Sequence, residues 1–455
     1  MTQQEVKKKT VIGEEGVYNA RSLGGGKMFT LGFQHMFAMF GATVLVPALT
    51  GLSVSTTLLF AGLGTLLFHL ITKMKVPAFL GSSFAFLAGY FAIAPNKEPE
   101  LLPYACFAVA VSGVLYLILA ACMKGFGVKA VMKYFPPIVT GPIIISIGLI
   151  LSSSAITNCT ANWGVALIAI AVVIIANIWG KGMIKIIPIL LGVIVSYAVA
   201  ALCGQVDFTT VAEADWLGLP VIWDHTVFAL FPGADKGLLI TACITIVPLA
   251  LATMVEHIGD MCAISSTCGK NYLQDPGLHR TLIGDGVATM LASLFGAPAN
   301  TTYGENTGVL ALTKVYDPAV IRIAAALAIV FSFCPKFAAL VTAMPVATIG
   351  GISLVLYGMI SAIGVRNVVE NKVDFTKTRN VIIAALILVL AIGVNYSPAG
   401  CIAIPLGEVT IKLSGLATAA IVGIALNAVL PGKDYAFGKD PQGDVSVNFQ
   451  VGRRD

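Results

Sequence analysis

A chain of 455 residues that is 57% hydrophobic and only 11% charged cannot cover a water-facing surface, because soluble proteins carry about 25% charged residues. Apolar runs recur from end to end, and each membrane crossing takes about 20 such residues, which leaves room for about 12 to 14 crossings and no sizeable soluble domain. The net charge of +5 says less than where the cations fall, and no nucleic-acid partner is expected.

The polar N-terminus, with Lys7, Lys8, Lys9, Glu14 and Glu15, precedes no small-residue cleavage site, so no signal peptide is expected. In chain order the apolar runs predict seven spans at 28–49, 55–72, 77–93, 104–123, 135–152, 163–180 and 186–204. Seven more follow at 237–261, 282–297, 303–313, 318–335, 338–361, 380–396 and 411–430. Gly, Ser, Thr and Asn interrupt the third and tenth. The nine cysteines lie mostly inside apolar runs without a C-x-x-C pair and read as small buried apolar residues.

Charge placement tests this map through the positive-inside rule. With the N-terminus in the cytoplasm and sides alternating, only Lys97, Lys236, Lys336 and Lys412 of the 28 Lys and Arg fall outside, and the long outer loop at 205–236 is acidic. The expectation is a multi-pass plasma-membrane protein, embedded in the lipid bilayer of the cell inner membrane, with both termini cytoplasmic. Because seven is odd, two repeats of seven have opposite orientation. The fifth span opens PPIVTGPIIISIG and the twelfth PVATIGGISLVLYG, each with a proline five residues before a glycine (Gly141, Gly350). The interrupted third and tenth spans hold matching places in the two halves, the usual sign of a midplane binding site.

Ionisable groups inside spans are costly and point to function. Glu256 lies deep in the eighth span, and Asp260 follows four residues later on the same helix face. Glu305 sits in the broken tenth span. Asp285, after Gly284 at a span start, reads as a helix cap. His35 lies in the first span. His257 points about 100° around the helix from Glu256 and reads as a packing residue, while His69 and His279 read as cytoplasmic-side residues. No histidines or cysteines show metal-ligand spacing, so no metal is expected.

The motifs QHMFAMFGATVLVP (34–47), GSSFAF (81–86), EHIGD (256–260), DPGLHR (275–280) and NTTYGENTGVLALTK (300–314) resemble the uracil permease branch of the nucleobase–ascorbate transporter family. The resemblance covers nearly the whole chain. It implies an all-α polytopic membrane protein of fourteen spans in two inverted seven-span repeats, with short antiparallel strands in spans 3 and 10. It implies a core domain at 28–130 and 237–335 and a gate domain at 131–236 and 336–431. A cytoplasmic segment at 1–27 precedes them and a cytoplasmic tail at 432–455 follows. It also implies a homodimer through the gate, and import of uracil or a related nucleobase by proton symport as core moves against gate. Protons are the coupling ion; no other cofactor and no enzyme activity are implied.

Carried over by motif, Glu256 and Glu305 accept hydrogen bonds from the base's N–H groups, and backbone at Phe84 and Gly304 completes the recognition. Ala42, Ser83 and Tyr303 line the pocket, and Ser353 and Tyr357 face it from the gate. Glu256, Asp260 and His35 are the candidates for proton coupling. The chemistry is consistent, since carboxylates accept from N–H groups and the free amides of an interrupted helix donate to carbonyls. Phe84 or Tyr303 offers a ring to stack on or flank the base. A carboxylate withdrawn from water also holds a proton more readily.

Two positions bear on selectivity. Glutamate at 305 fits the uracil type, where xanthine and urate carriers usually have glutamine. Asp260 stands where the bacterial uracil permease has histidine and is similar to the purine carriers. The alternatives are a xanthine or broad nucleobase proton symporter and, from another class, an anion exchanger or channel of the same architecture.

Overall fold

The computed structural model describes residues 15–433 apart from Pro232, Gly407 and Glu408. The first half opens with α1 (Gly25–Thr50) and α2 (Val54–Ile71), which turn at Gly51, φ +85°. The Ser53 side chain caps α2 by accepting from the Thr56 amide. Then the helical path breaks into β1 (Leu80–Ser82) and the short α3 (Leu87–Ile93). Next come α4 (Leu102–Phe126), α5 (Val128–Met132), α6 (Pro137–Cys159), α7 (Trp163–Ile178), α8 (Met183–Ile186) and α9 (Pro188–Leu202). Proline opens α6 and α9, where its missing N–H has no helical partner to lose.

After α10 (Thr209–Glu213) the second half runs through α11 (Lys236–Ile246), α12 (Ala250–Cys268) and α13 (Leu278–Leu294). It breaks at β2 (Asn300–Thr302) and continues with α14 (Gly304–Thr313), α15 (Pro318–Ser332), α16 (Pro335–Thr342) and α17 (Val346–Glu370). It ends with α18 (Thr378–Asn395), a hairpin of β3 (Cys401–Leu406) and β4 (Val409–Ser414), and α19 (Gly415–Val429). Among the described residues, seven helices are long and apolar enough to cross a membrane, taking α11 and α12 as one. The count is eight if the bent pair α15–α16 is a single span, and α7, α9 and α19 are shorter apolar helices.

β1 and β2 pair antiparallel, Leu80 with Thr302 and Ser82 with Asn300. This short ladder, extended by Ser83 N–H to Ala299 O (2.8 Å) and Tyr303 N–H to Phe79 O (3.0 Å), satisfies backbone groups that the broken helices leave free. The helices pack in two sets. In one, α4 lies along α13, α2 against α13 and α15, and α1 against α15; in the other, α6 lies along α17, α7 on α9 and α17, and α18 on α6 and α19. The α6–α17 contact is close because Gly148 lies against the Tyr357 carbonyl and Gly364 against the Ile145 backbone, where a Cβ has no room.

The fifth span, expected to end at 152, runs on to Cys159, and four others depart from the sequence expectation. The eighth span bends at a 3₁₀ turn containing Pro248 and runs on to Cys268. The twelfth, expected at 338–361, is two helices. Residues up to Thr342 belong to α16, which meets α15 at 87°, and α17 starts anew after Pro345, which cannot continue a helix from its N-terminal side. The fourteenth, expected at 411–430, begins as a strand, since Ile411–Ser414 pairs with β3. The ninth lies a turn earlier than 282–297, which places Asp285 midway along α13 rather than at its cap.

Candidate functional site

Three elements meet where the helices break. α14 begins at Gly304, so its first amides have no helical carbonyl to bind, and Glu305 stands in that first turn. α12 presents Glu256 and Asp260 on one face, both half-buried. Asp260 accepts from the Thr302 hydroxyl at 2.7 Å, which ties β2 to α12. Glu256, Asp260 and Glu305 are close enough for their charges to interact. Ionised together they would repel one another, so the site favours uptake of a proton or a ligand that donates hydrogen bonds.

Phe84 follows β1 and sets its ring 6.2 Å from that of Tyr357, at 75°. Tyr357 and Ser353 share one face of α17, and the Tyr357 hydroxyl lies near those of Ser353 and Ser154. Ser83 is buried with its hydroxyl unpartnered, and Ala42 is buried on α1. Tyr303 is used structurally. Its ring covers Gly81, where a Cβ has no room. Its hydroxyl donates to Ser82 O at 2.9 Å and accepts from Thr43 at 3.3 Å.

His35 is buried and faces Asn306, whose amide donates to the His35 carbonyl at 3.0 Å and lies 3.2 Å from its Nδ1. It thus braces α14 one residue beyond Glu305. His69, near the end of α2, is fully buried, 2.9 Å from the Ala78 carbonyl.

Asp285, expected as a helix cap, instead lies midway along α13. Its carboxylate and the His257 ring are both 0% exposed and 3.4 Å apart. Gly284 lets Phe68 of α2 approach, and Gly286 does the same for Tyr116 of α4, so Asp285 is enclosed on both sides. A glycine on each side of the aspartate is the sequence signal, because closely approached glycines exclude water from the residue between them. Among the described residues no three His, Cys, Asp or Glu side chains converge as metal ligands.

A cavity of 280 Å³ reaches Glu305. It is lined by Phe37, Gly308 and Leu312 on one side and by Asn177, Lys185 and Met359 on the other, so it lies between the two helix sets.

With this geometry in hand, the comparisons are specific. The xanthine–uracil permease model, described as Permease family, matches residues 26–400. The chain belongs to this permease family. It is thus a transporter of the nucleobase–ascorbate family and an integral membrane protein. It is 41% identical to a uracil permease of Bacillus caldolyticus over 422 residues, 90% of this chain and 94% of the relative. It is 38% identical to the uracil permease of Bacillus subtilis (strain 168) over 433 residues, 92% of this chain and 94% of that one. The transmembrane domain of the cyanobacterial bicarbonate transporter BicA shares the fold with a TM-score of 0.57 at 15% identity, covering 91% of this chain and 99% of that one.

Proposed function

We propose that this permease imports uracil together with protons. The observation that carries the reading is the pairing of Glu256 and Glu305 beside the β1–β2 break, in a chain 41% identical to a uracil permease along 90% of its length. Uracil offers N–H donors to the two carboxylates and carbonyl acceptors to the amides at Phe84 and Gly304. Ala42, Ser83 and Tyr303 line or support the pocket, and Ser353 and Tyr357 close it from the opposite helix set. Glu256 or Asp260 takes the proton, and His35 orients α14 through Asn306. Because uracil is neutral at pH 7, each proton carried with it moves one charge, worth about 2.3 kcal/mol per 100 mV.

In this reading the chain crosses the membrane fourteen times as two inverted repeats, with both termini in the cytoplasm. Residues 28–130 and 237–335 form the core, and 131–236 and 336–431 form the gate. Transport proceeds by motion of core against gate, and two protomers associate through their gates. Asp260 favours a second reading, a xanthine or broader nucleobase carrier. The fold shared with a bicarbonate transporter raises an anion exchanger as well, but carboxylates at the site oppose an anion.

The test is uptake of labelled uracil into proteoliposomes under an inward proton gradient, with and without a protonophore. Accumulation that collapses with the protonophore is the expected result. Absence of gradient-dependent uptake by folded, inserted protein rejects the reading, and xanthine is then tested in the same vesicles.

A further inference from the structure

We infer that residues 17–20 are a strap that sets the placement of α12 against α14, and so of Glu256 against Glu305. The inference rests on the reading of those two carboxylates as the base-binding pair. Three sets of contacts carry it. The Tyr18 hydroxyl donates at 2.7 Å to the carbonyl of Cys268, the last residue of α12, where a helix leaves its carbonyls without partners. One residue earlier, Val17 forms a parallel bridge beside Val315, just past the end of α14. Its amide donates to Lys314 O at 2.8 Å, and its carbonyl accepts from Tyr316 N at 2.8 Å. The Ala20 amide donates to one Asp317 oxygen, while the other caps α15 through Ala319 N, each at 2.8 Å.

The strap is therefore fastened to the C-terminal ends of both carboxylate-bearing helices. Val17 and Ala20 are buried with Leu31, Val315 and Val320 in an apolar cluster of their own. The Tyr18 ring lies 5.3 Å from that of Tyr316 and under the Lys270 ammonium, 4.4 Å from its centroid. Lys270 stands just beyond α12 and Tyr316 just beyond α14, so this one side chain touches the exits of both.

A helix transmits such a constraint because it is stiff over a few turns. At 1.5 Å per residue, Glu256 is about 18 Å from the Cys268 end and Glu305 about 12 Å from the Thr313 end. A small change of tilt or rotation at the strapped ends changes the gap between the carboxylates, where the base must meet both at hydrogen-bond distance. Tyr18 and Val17 are positioning residues and touch no substrate.

The test uses the full chain with Tyr18→Phe, which keeps the ring and removes the hydroxyl, and Tyr18→Ala, which removes both. Uracil KM and Vmax are measured in proteoliposomes, and hydrogen–deuterium exchange is followed along 250–268 and 304–313. Tyr18→Ala is expected to raise the uracil KM about fivefold with Vmax within about twofold, and Tyr18→Phe to raise it about twofold, as for loss of ordering without loss of a substrate contact. Faster exchange in both segments accompanies the rise. If Tyr18→Ala fails to fold, Tyr18→Phe alone decides. Wild-type KM and wild-type exchange in the variants overturn the inference, as does a loss of uptake that only follows the amount of folded protein. If the wild-type chain carries no uracil, the functional reading fails, while the exchange data still judge the strap.

Discussion

The Thr302 hydroxyl donates to the Asp260 carboxylate across 2.7 Å, joining the second broken strand to the helix that carries Glu256. Asp260 thereby belongs to the strand pair as much as to its own helix. Replacing Thr302 by Val keeps the branched shape and removes the donor, so Asp260 loses a partner whose absence costs about 1–3 kcal/mol in a buried setting. Thr302→Val is expected to lower uracil Vmax/KM about tenfold or more, with recovery in Thr302→Ser. Equal uptake kinetics for Val and Ser variants would remove this contact from the site.

Glu305→Gln replaces an acceptor oxygen in the first turn of α14 with an NH₂ that cannot accept. Hydrogen bonds to an ionised acceptor are about twice as strong as neutral ones, so the uracil KM is expected to rise about tenfold or more. Unlabelled xanthine is expected to compete more strongly against the variant than against the parent protein. Uracil uptake unchanged at equal expression would place Glu305 outside the site.

The carboxylates themselves were legible in the sequence, because a charge in an apolar run has few structural explanations. What surrounds them was less so. β1 and β2 are three residues each, too short for a strand period, and the sequence betrayed only the small polar residues that interrupt the helices. Their register depends on partners more than two hundred positions apart. The expected twelfth span concealed a break because Pro335 and Pro345 each start a helix and only one start was assigned. Likewise, Ile411–Ser414 is apolar enough to read as the beginning of a helix, and pairing with β3 decides otherwise. Asp285 looked like a cap because Gly-Asp commonly opens a helix. Its burial follows from where α2 and α4 press on Gly284 and Gly286, which no local pattern contains.

The cavity beside Glu305 gives a steric prediction. Gly308 lines it, and a Cβ added there meets nothing within 4 Å. A side chain can therefore leave the Gly308 backbone without a clash, and the ring of Gly308→Phe would extend into the 280 Å³ cavity, filling space through which a base would pass between the helix sets. Its effect on stability is expected within about 1 kcal/mol, as for substitutions without a clash or a lost contact. Uptake, by contrast, should fall to background, and Gly308→Ala should stay near the parent rate. Full transport by a folded Gly308→Phe protein would mean that this cavity lies off the substrate path.

The His257–Asp285 pair gives the clearest separation of stability from transport chemistry. Neither side chain has exposed surface, their nearest polar atoms stand 3.4 Å apart, and neither has a hydrogen-bond partner, so each is the other's near polar neighbour in an enclosed site. Asp285→Ala leaves the His257 ring enclosed against Phe68 without the carboxylate beside it. Leaving one buried polar group without its neighbour costs about 1–3 kcal/mol, whereas replacing both groups with apolar residues of similar shape is often nearly neutral. Accordingly, Asp285→Ala should be destabilised, and the double variant His257→Leu with Asp285→Leu should regain much of that loss. Thermal unfolding in detergent, read by size-exclusion recovery, measures both. If the double variant regains stability but not uracil uptake, the pair contributes to transport beyond holding α12 on α13. If it regains both, the pair is structural. A single Asp285→Ala variant as stable as the parent would show that the two side chains do not depend on one another.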